Sequence, residues 1–219
     1  MPNLEDLERT IRANELQAFR SLLRDDPSLA AARNSEGGSP ALIAIYFGRS
    51  AMLDELIANG AVLNIFEAAA TGRTDLAAQH LDRDPALIKS YSHDGWTPLH
   101  LAAFFGHADT VQALLARGAD HTLYGKNRNA NQPLHAAAAN SQVAACEALL
   151  QAGADPSAAA GGGWTPLHLA AANGAGELTQ LLLAHGADKM RSKDDGETPA
   201  DAARSSGHDA LAAVLEGEA

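Results

Sequence analysis

At 219 residues the chain is long enough to bury a sizeable core. Its formal net charge of −11, with no run of Lys or Arg longer than two, excludes a surface built to track phosphates, which needs clustered cations. A single cysteine, Cys146, excludes an intramolecular disulfide framework, and no apolar run is long enough to span a bilayer.

Hydrophobic residues make up 46% of the chain and aromatics only 5%, so alanine carries much of the apolar content. Alanine favours helix and lets short helices approach closely. The first residues, Met1 to Glu8, show neither a basic nor an apolar targeting region, which makes a cytoplasmic protein the expectation.

Residues 4–34 read as a first helical pair. Leu4, Leu7 and Ile11 form one apolar face, and Leu16, Phe19, Leu22 and Leu23 form a second. Glu5, Glu8, Arg9 and Arg12 suit a solvated outer side, as a terminal cap requires. Asp26-Pro27 ends the second helix, because proline disfavours helical geometry in the residue before it. A second unit spans 35–64, with Ser39-Pro40-Ala41-Leu42 at its first helix and glycines 48 and 60 at its helix ends. A third, 65–91, is irregular. A first helix from about Phe66 is closed by Gly72, Leu76–Leu81 supplies a second, and Asp84-Pro85 repeats the earlier Asp-Pro ending. That echo, and the equal spacing from Pro40 to Pro98, suggests that units one and two duplicate units three and four.

The fourth unit, 92–124, carries the clearest signals. Thr97 is a good N-cap, Pro98 sits at the first helical position, and His100 is placed to bond back toward Thr97. Gly106 ends this helix, Asp109 opens the next, and Gly118 stops it. The pattern recurs as Gln132-Pro133-Leu134-His135 in 125–157 and Thr165-Pro166-Leu167-His168 in 158–191. Thr198-Pro199-Ala200-Asp201 follows in 192–219. The prolines stand 35, 33 and 33 residues apart, and Gly-Ala-Asp closes the second helices at 118–120, 153–155 and 186–188. The polar last unit reads as a second cap, so a complete single-domain chain is expected.

A T-P-L-H core at a period near 33 is the signature by which this chain resembles ankyrin-repeat proteins. The resemblance implies an all-α solenoid of about seven stacked helix-turn-helix units joined by short β-hairpin-like loops. It also implies a binding module whose partners meet the loop tips and the inner face of the first helices.

Nothing in the sequence looks catalytic. His100, His135 and His168 form a tempting metal trio, yet each occupies the same helix-start position in its own unit. Stacked helices sit ~8–10 Å apart, too far for three imidazoles to share an ion at ~2 Å. His107 and His208 follow the helix-ending glycine and read as structural too. Cys146 falls where Val111 falls one unit earlier, a buried position where cysteine behaves as a small hydrophobe. Gly161-Gly162-Gly163 lacks the Lys-Ser/Thr of a phosphate loop. No enzyme activity, cofactor or metal is therefore expected.

What remains is surface. The two residues before each helix-ending position lie on the inner face, and there Tyr46-Phe47 and Phe104-Phe105 flank the small pair Ala70-Thr71. An apolar hollow between units two and four is expected, with Trp96 at the neighbouring tip and Trp164 extending the surface. The opposing expectation is that one ring of each pair packs between adjacent first helices. Loop 125–131, two residues longer than its neighbours, offers Arg128 to an acidic partner. The expected function is non-catalytic binding of another protein by a monomer, with no nucleic acid or membrane involved. Two other readings use the same features. The aromatic patch could serve as a homodimer seam, or the irregular third unit could hold a small ligand or an active site marked by a polar cluster around Glu67 and Arg73.

Overall fold

The helix boundaries follow from capping chemistry. Thr97 adopts extended backbone and its Oγ1 accepts the His100 N–H, Pro98 stands at the helix start, and Gly106 follows the last turn at φ 79°. The computed structural model describes residues 3–35, 37–128 and 130–217, and among these it contains fourteen α-helices and no strand. They come in pairs: α1 (Leu4–Ala13) with α2 (Leu16–Asp25), α3 (Pro40–Tyr46) with α4 (Ser50–Ala58), and α5 (Ile65–Ala70) with α6 (Thr74–Arg83). The regular pairs follow, α7 (Pro98–Phe104) with α8 (Ala108–Ala116), α9 (Pro133–Ala139) with α10 (Val143–Gln151), and α11 (Pro166–Ala172) with α12 (Gly176–Ala184). The last is α13 (Pro199–Ser205) with α14 (Asp209–Glu216).

First helices pack on first helices, α5 on α7, α7 on α9, α9 on α11 and α11 on α13, while α6, α8, α10 and α12 form a second layer behind them. Alanine makes the first layer possible. Ala102, Ala103, Ala137, Ala138, Ala170 and Ala171 are all buried where α7, α9 and α11 meet, and a larger side chain would hold these short helices apart. Leu99, Leu134 and Leu167 point into the shared core beside Val111, Cys146 and Leu178 of the second layer. Each hairpin thus buries its apolar face chiefly against its neighbours.

The loops between pairs turn back on themselves. Ser92 N–H donates to Trp96 O at 2.8 Å, Ala160 N–H to Trp164 O at 2.7 Å and Lys193 N–H to Glu197 O at 2.9 Å. They are hairpin-like in closure without forming strands.

Three departures have physical reasons. Helix α5 begins at Ile65, capped by Asn64, and at six residues is one shorter than its counterparts α3, α7, α9 and α11. Glu8, expected on the solvated side, is buried: its Oε2 pairs with Arg12 at 3.0 Å, and its Oε1 has no hydrogen-bond partner among the described residues. Glu8 stands four residues after Leu4 and three before Ile11, so the helical period turns it toward the apolar face of α1. Ser141 stands where five of the other first helices are followed by glycine and α1 by Asn14, and it is held at φ 53°. Both Asp-Pro sites begin 3-10 turns, Pro27–Ala31 and Pro85–Lys89, with the aspartate side chain accepting a backbone N–H two residues on.

Candidate partner-binding surface

The histidines are fully occupied by the fold. His100 Nε2–H donates to Asn131 O at 2.9 Å, which leaves Nδ1 as the acceptor for the Thr97 hydroxyl at 2.7 Å. His135 donates to Ala158 O at 2.9 Å and His168 to Glu197 O at 3.1 Å, and each takes its own helix start at Nδ1. Each ring therefore fastens its unit to the next loop, a forward reach that the capping pattern alone did not suggest. Burial, partly offset by the carbonyl partners, holds the His100 and His135 imidazoles at about 4, and lowers His168 as well. Burial also pushes the Cys146 thiol up to about 12, which makes it a poor nucleophile. No group of three or more His, Cys, Asp or Glu among the described residues is arranged to hold a metal ion.

Glu67 occupies the histidine position of the third unit and works in the opposite direction. Fully buried, it accepts the Asn64 N–H at 2.7 Å, the Ser39 hydroxyl, and both Arg33 guanidinium nitrogens at 3.2 Å. A carboxylate has no proton for the next loop's carbonyl, so it collects donors from the residues before it, Arg33 at the end of unit one and Ser39 and Asn64 of unit two. Arg73 is exposed and takes no part. The polar cluster is a joint between units two and three, not an open site. The spacing Asn64-x-x-Glu67 was its legible signal, since it is the capping-box pattern.

The aromatic residues at the ends of α3 and α7 form one cluster. Tyr46 reaches across Ala70, its ring centroid 5.5 Å from Phe105 and 6.5 Å from Phe104, and Phe104 and Phe105 meet edge to face at 5.1 Å. The Tyr46 hydroxyl donates to Asp94, a contact the sequence did not indicate. Burial and this carboxylate both raise the phenol's pKa. The hollow expected over the small third unit is thus bridged by rings that touch one another. They still present apolar surface: Tyr46 is 37% exposed and Phe47 46%, while Phe104 and Phe105 are half-buried.

The two tryptophans separate. Trp96, expected to be presented at the tip, is only 8% exposed, because Phe104 lies against its ring at 4.9 Å. Trp164 has Ala172 in place of that phenylalanine and is half-buried, with the Lys193 ammonium 4.4 Å from its ring centre. Arg128 is exposed on its loop. Its neighbour Asn129 lies outside the described residues.

Stacked helix pairs with capped starts, glycine ends and alanine-lined joints define a helical-repeat solenoid. Two ankyrin-repeat profiles match the chain, ankyrin repeats in three copies over residues 65–160 and ankyrin repeats in many copies over 149–203, and the protein belongs to the ankyrin-repeat family. It is 39% identical over 57 residues to an ankyrin repeat-containing protein of Schizosaccharomyces pombe, covering 26% of this chain and 27% of that one. Over 66 residues it is 38% identical to the DNA-binding protein RFXANK of Homo sapiens, covering 30% and 25% respectively. Over 131 residues it is 30% identical to the human transient receptor potential cation channel subfamily A member 1, covering 54% of this chain and 12% of the channel. The chain thus spans about a quarter or less of these relatives. Ankyrin repeats generally mediate protein–protein interaction. No helix among the described residues is long and apolar enough to cross a membrane.

Proposed function

We propose that this ankyrin stack binds another protein through the inner face of units two to four, as a monomer and without chemistry of its own. The observation that carries the reading is the exposed aromatic cluster. Tyr46, Phe47, Phe104 and Phe105 are four of the chain's ten aromatic residues; Tyr46, Phe104 and Phe105 are in ring contact, while the matching positions of the other units carry small or polar residues. Exposed apolar patches mark interaction sites, and aromatic rings often anchor them. Asp94 holds Tyr46 in place before any partner arrives, which lowers the ordering cost of binding. Trp96 supports Phe104 from beneath and makes no direct contact in this reading.

The test is affinity capture from the native host's lysate, with wild type and a Tyr46→Ala/Phe47→Ala/Phe104→Ala/Phe105→Ala variant as baits. Because that variant loses half-buried rings, Phe47→Ala alone serves as the control that leaves the fold intact. A partner retained by wild type, lost by the fourfold variant and weakened roughly tenfold by Phe47→Ala supports the reading, since truncating an interface anchor costs about 1.4 kcal/mol or more. Equal recovery by all three baits moves the site off this face. A sedimentation mass that rises with concentration in wild type and stays monomeric in Phe47→Ala assigns the patch to a homodimer seam instead.

A further inference from the structure

The row of loop tips is open between units five and six. On either side the tips are tied through the backbone, Lys126 N–H to Gly95 O at 2.8 Å and Asp194 N–H to Gly162 O at 3.1 Å. Among the described residues no backbone hydrogen bond joins loop 125–131 to Gly161–Gly163. A cleft of about 310 Å³ lies there, lined by Trp164, Leu169, Ala139, Gly161 and Arg128 among others.

Its origin is a missing ring. In unit four Phe104 covers Trp96, but Ala139 and Ala172 stand at the matching positions of units five and six, so no phenylalanine lies against Trp164, whose indole has the Lys193 ammonium 4.4 Å from its ring centre. Arg128 and Asn131 of the lengthened loop 125–131, and Ala160 and Gly161 of the next loop, border this gap.

The lining is chemically selective. In a chain with 27 acids against 16 lysines and arginines, no acid lines this cleft. Arg128 is the one lysine or arginine in the lining, and it has no ion pair with a carboxylate among the described residues. His135, also in the lining, has both ring nitrogens engaged. The chain's overall negative charge acts weakly at this distance, because salt screens beyond ~8 Å.

We propose that the cleft takes the glutamate or aspartate side chain of an extended, otherwise apolar segment of a partner protein. The carboxylate meets the Arg128 guanidinium and the flanking apolar side chains lie on Trp164 and Leu169. The volume is at the small end of ligand pockets, ~300–1,000 Å³, which suits one or two side chains and not a folded surface. The proposal rests on the reading of the stack as a protein-binding module but uses a different place on it.

The probe is a blocked pentapeptide of sequence Ala-Leu-Glu-Leu-Ala at millimolar concentration, with Gln replacing Glu as control, followed through the indole N–H resonances. Trp164 and Trp96 are the only tryptophans, and buried Trp96 is the internal reference. The Glu peptide is expected to shift Trp164 saturably and leave Trp96 in place, with the Gln peptide binding roughly fivefold more weakly. Arg128→Ala, an exposed change that leaves the fold untouched, brings the Glu peptide to the Gln level, and Arg128→Lys restores part of the difference. Ala139→Phe, which places a ring in the cleft itself, abolishes the shift. Equal affinity for the two peptides, no saturable shift, or a shift insensitive to Arg128→Ala overturns the proposal. Peptide binding that survives the fourfold inner-face variant separates this site from the aromatic one, and its failure beside intact partner capture removes the cleft alone.

Discussion

A neutral imidazole donates from one nitrogen and accepts at the other, and His100, His135 and His168 use both in holding one unit to the next. Protonation removes the acceptor at Nδ1 and places a charge in the core. With His100 and His135 held at about 4 against ~6.5 in an unfolded chain, the unfolded state takes up more protons between those values. The stability these rings contribute is therefore full above about pH 6.5 and is lost as pH falls through 4, by up to roughly 3 kcal/mol for each ring. Urea midpoints measured from pH 7 to pH 4.5 should fall, and His135→Gln, less stable at pH 7, should show a shallower decline. A second residue-scale prediction concerns Ser141, held at φ 53° where glycine follows most of the equivalent helices. Ser141→Gly should raise stability by about 1 kcal/mol, read as a higher melting temperature, because glycine adopts that backbone without a Cβ clash.

At the scale of elements, the regular helices were legible because capping, proline and glycine act locally. Thr97, Pro98 and Gly106 each report their own backbone, so one unit could be read and then found again. Unit three was harder. Asn64 and Glu67 replace the T-P-L-H signal by a capping box, and the same Glu67 carboxylate also takes the donors of Arg33 and Ser39. No spacing within residues 65–91 reveals partners 28 and 34 positions away. Trp96 escaped for a similar reason: its burial depends on Phe104, a contact between a loop and the far end of a helix. The inner-face positions of Tyr46 and Phe105 could be read, but their ring contact joins helices nearly sixty residues apart, which no local pattern reports. If the Glu67 cluster is the joint between units two and three, Glu67→Ala should cost roughly 3 kcal/mol by leaving Arg33 and Ser39 without their buried acceptor. In a stack whose units pack mainly on their neighbours, a weakened joint also divides the unfolding transition. Urea unfolding of Glu67→Ala should accordingly show a lower midpoint and a shallower slope, and an unchanged curve would remove Glu67 from that role.

Across the whole molecule, stability and recognition are drawn from different parts of the same repeat. Leucines and alanines at the joints build the stack, and the residues just before each helix end are left free to vary, from Ala172-Asn173 to Phe104-Phe105. Asn140 and Asn173 use this freedom structurally, donating to Phe104 O and Ala139 O of the preceding helix. Units two and four use it to gather aromatic rings on one face. The central claim is that this face is where the partner sits. Hydrogen–deuterium exchange of the chain alone and with its captured partner tests it most directly. The account predicts new protection concentrated in the peptides covering the ends of α3 and α7 and the loop around Asp94, with α4, α6 and α8 unchanged. Protection confined to those second helices, with Tyr46 and Phe104 peptides exchanging as before, would contradict it.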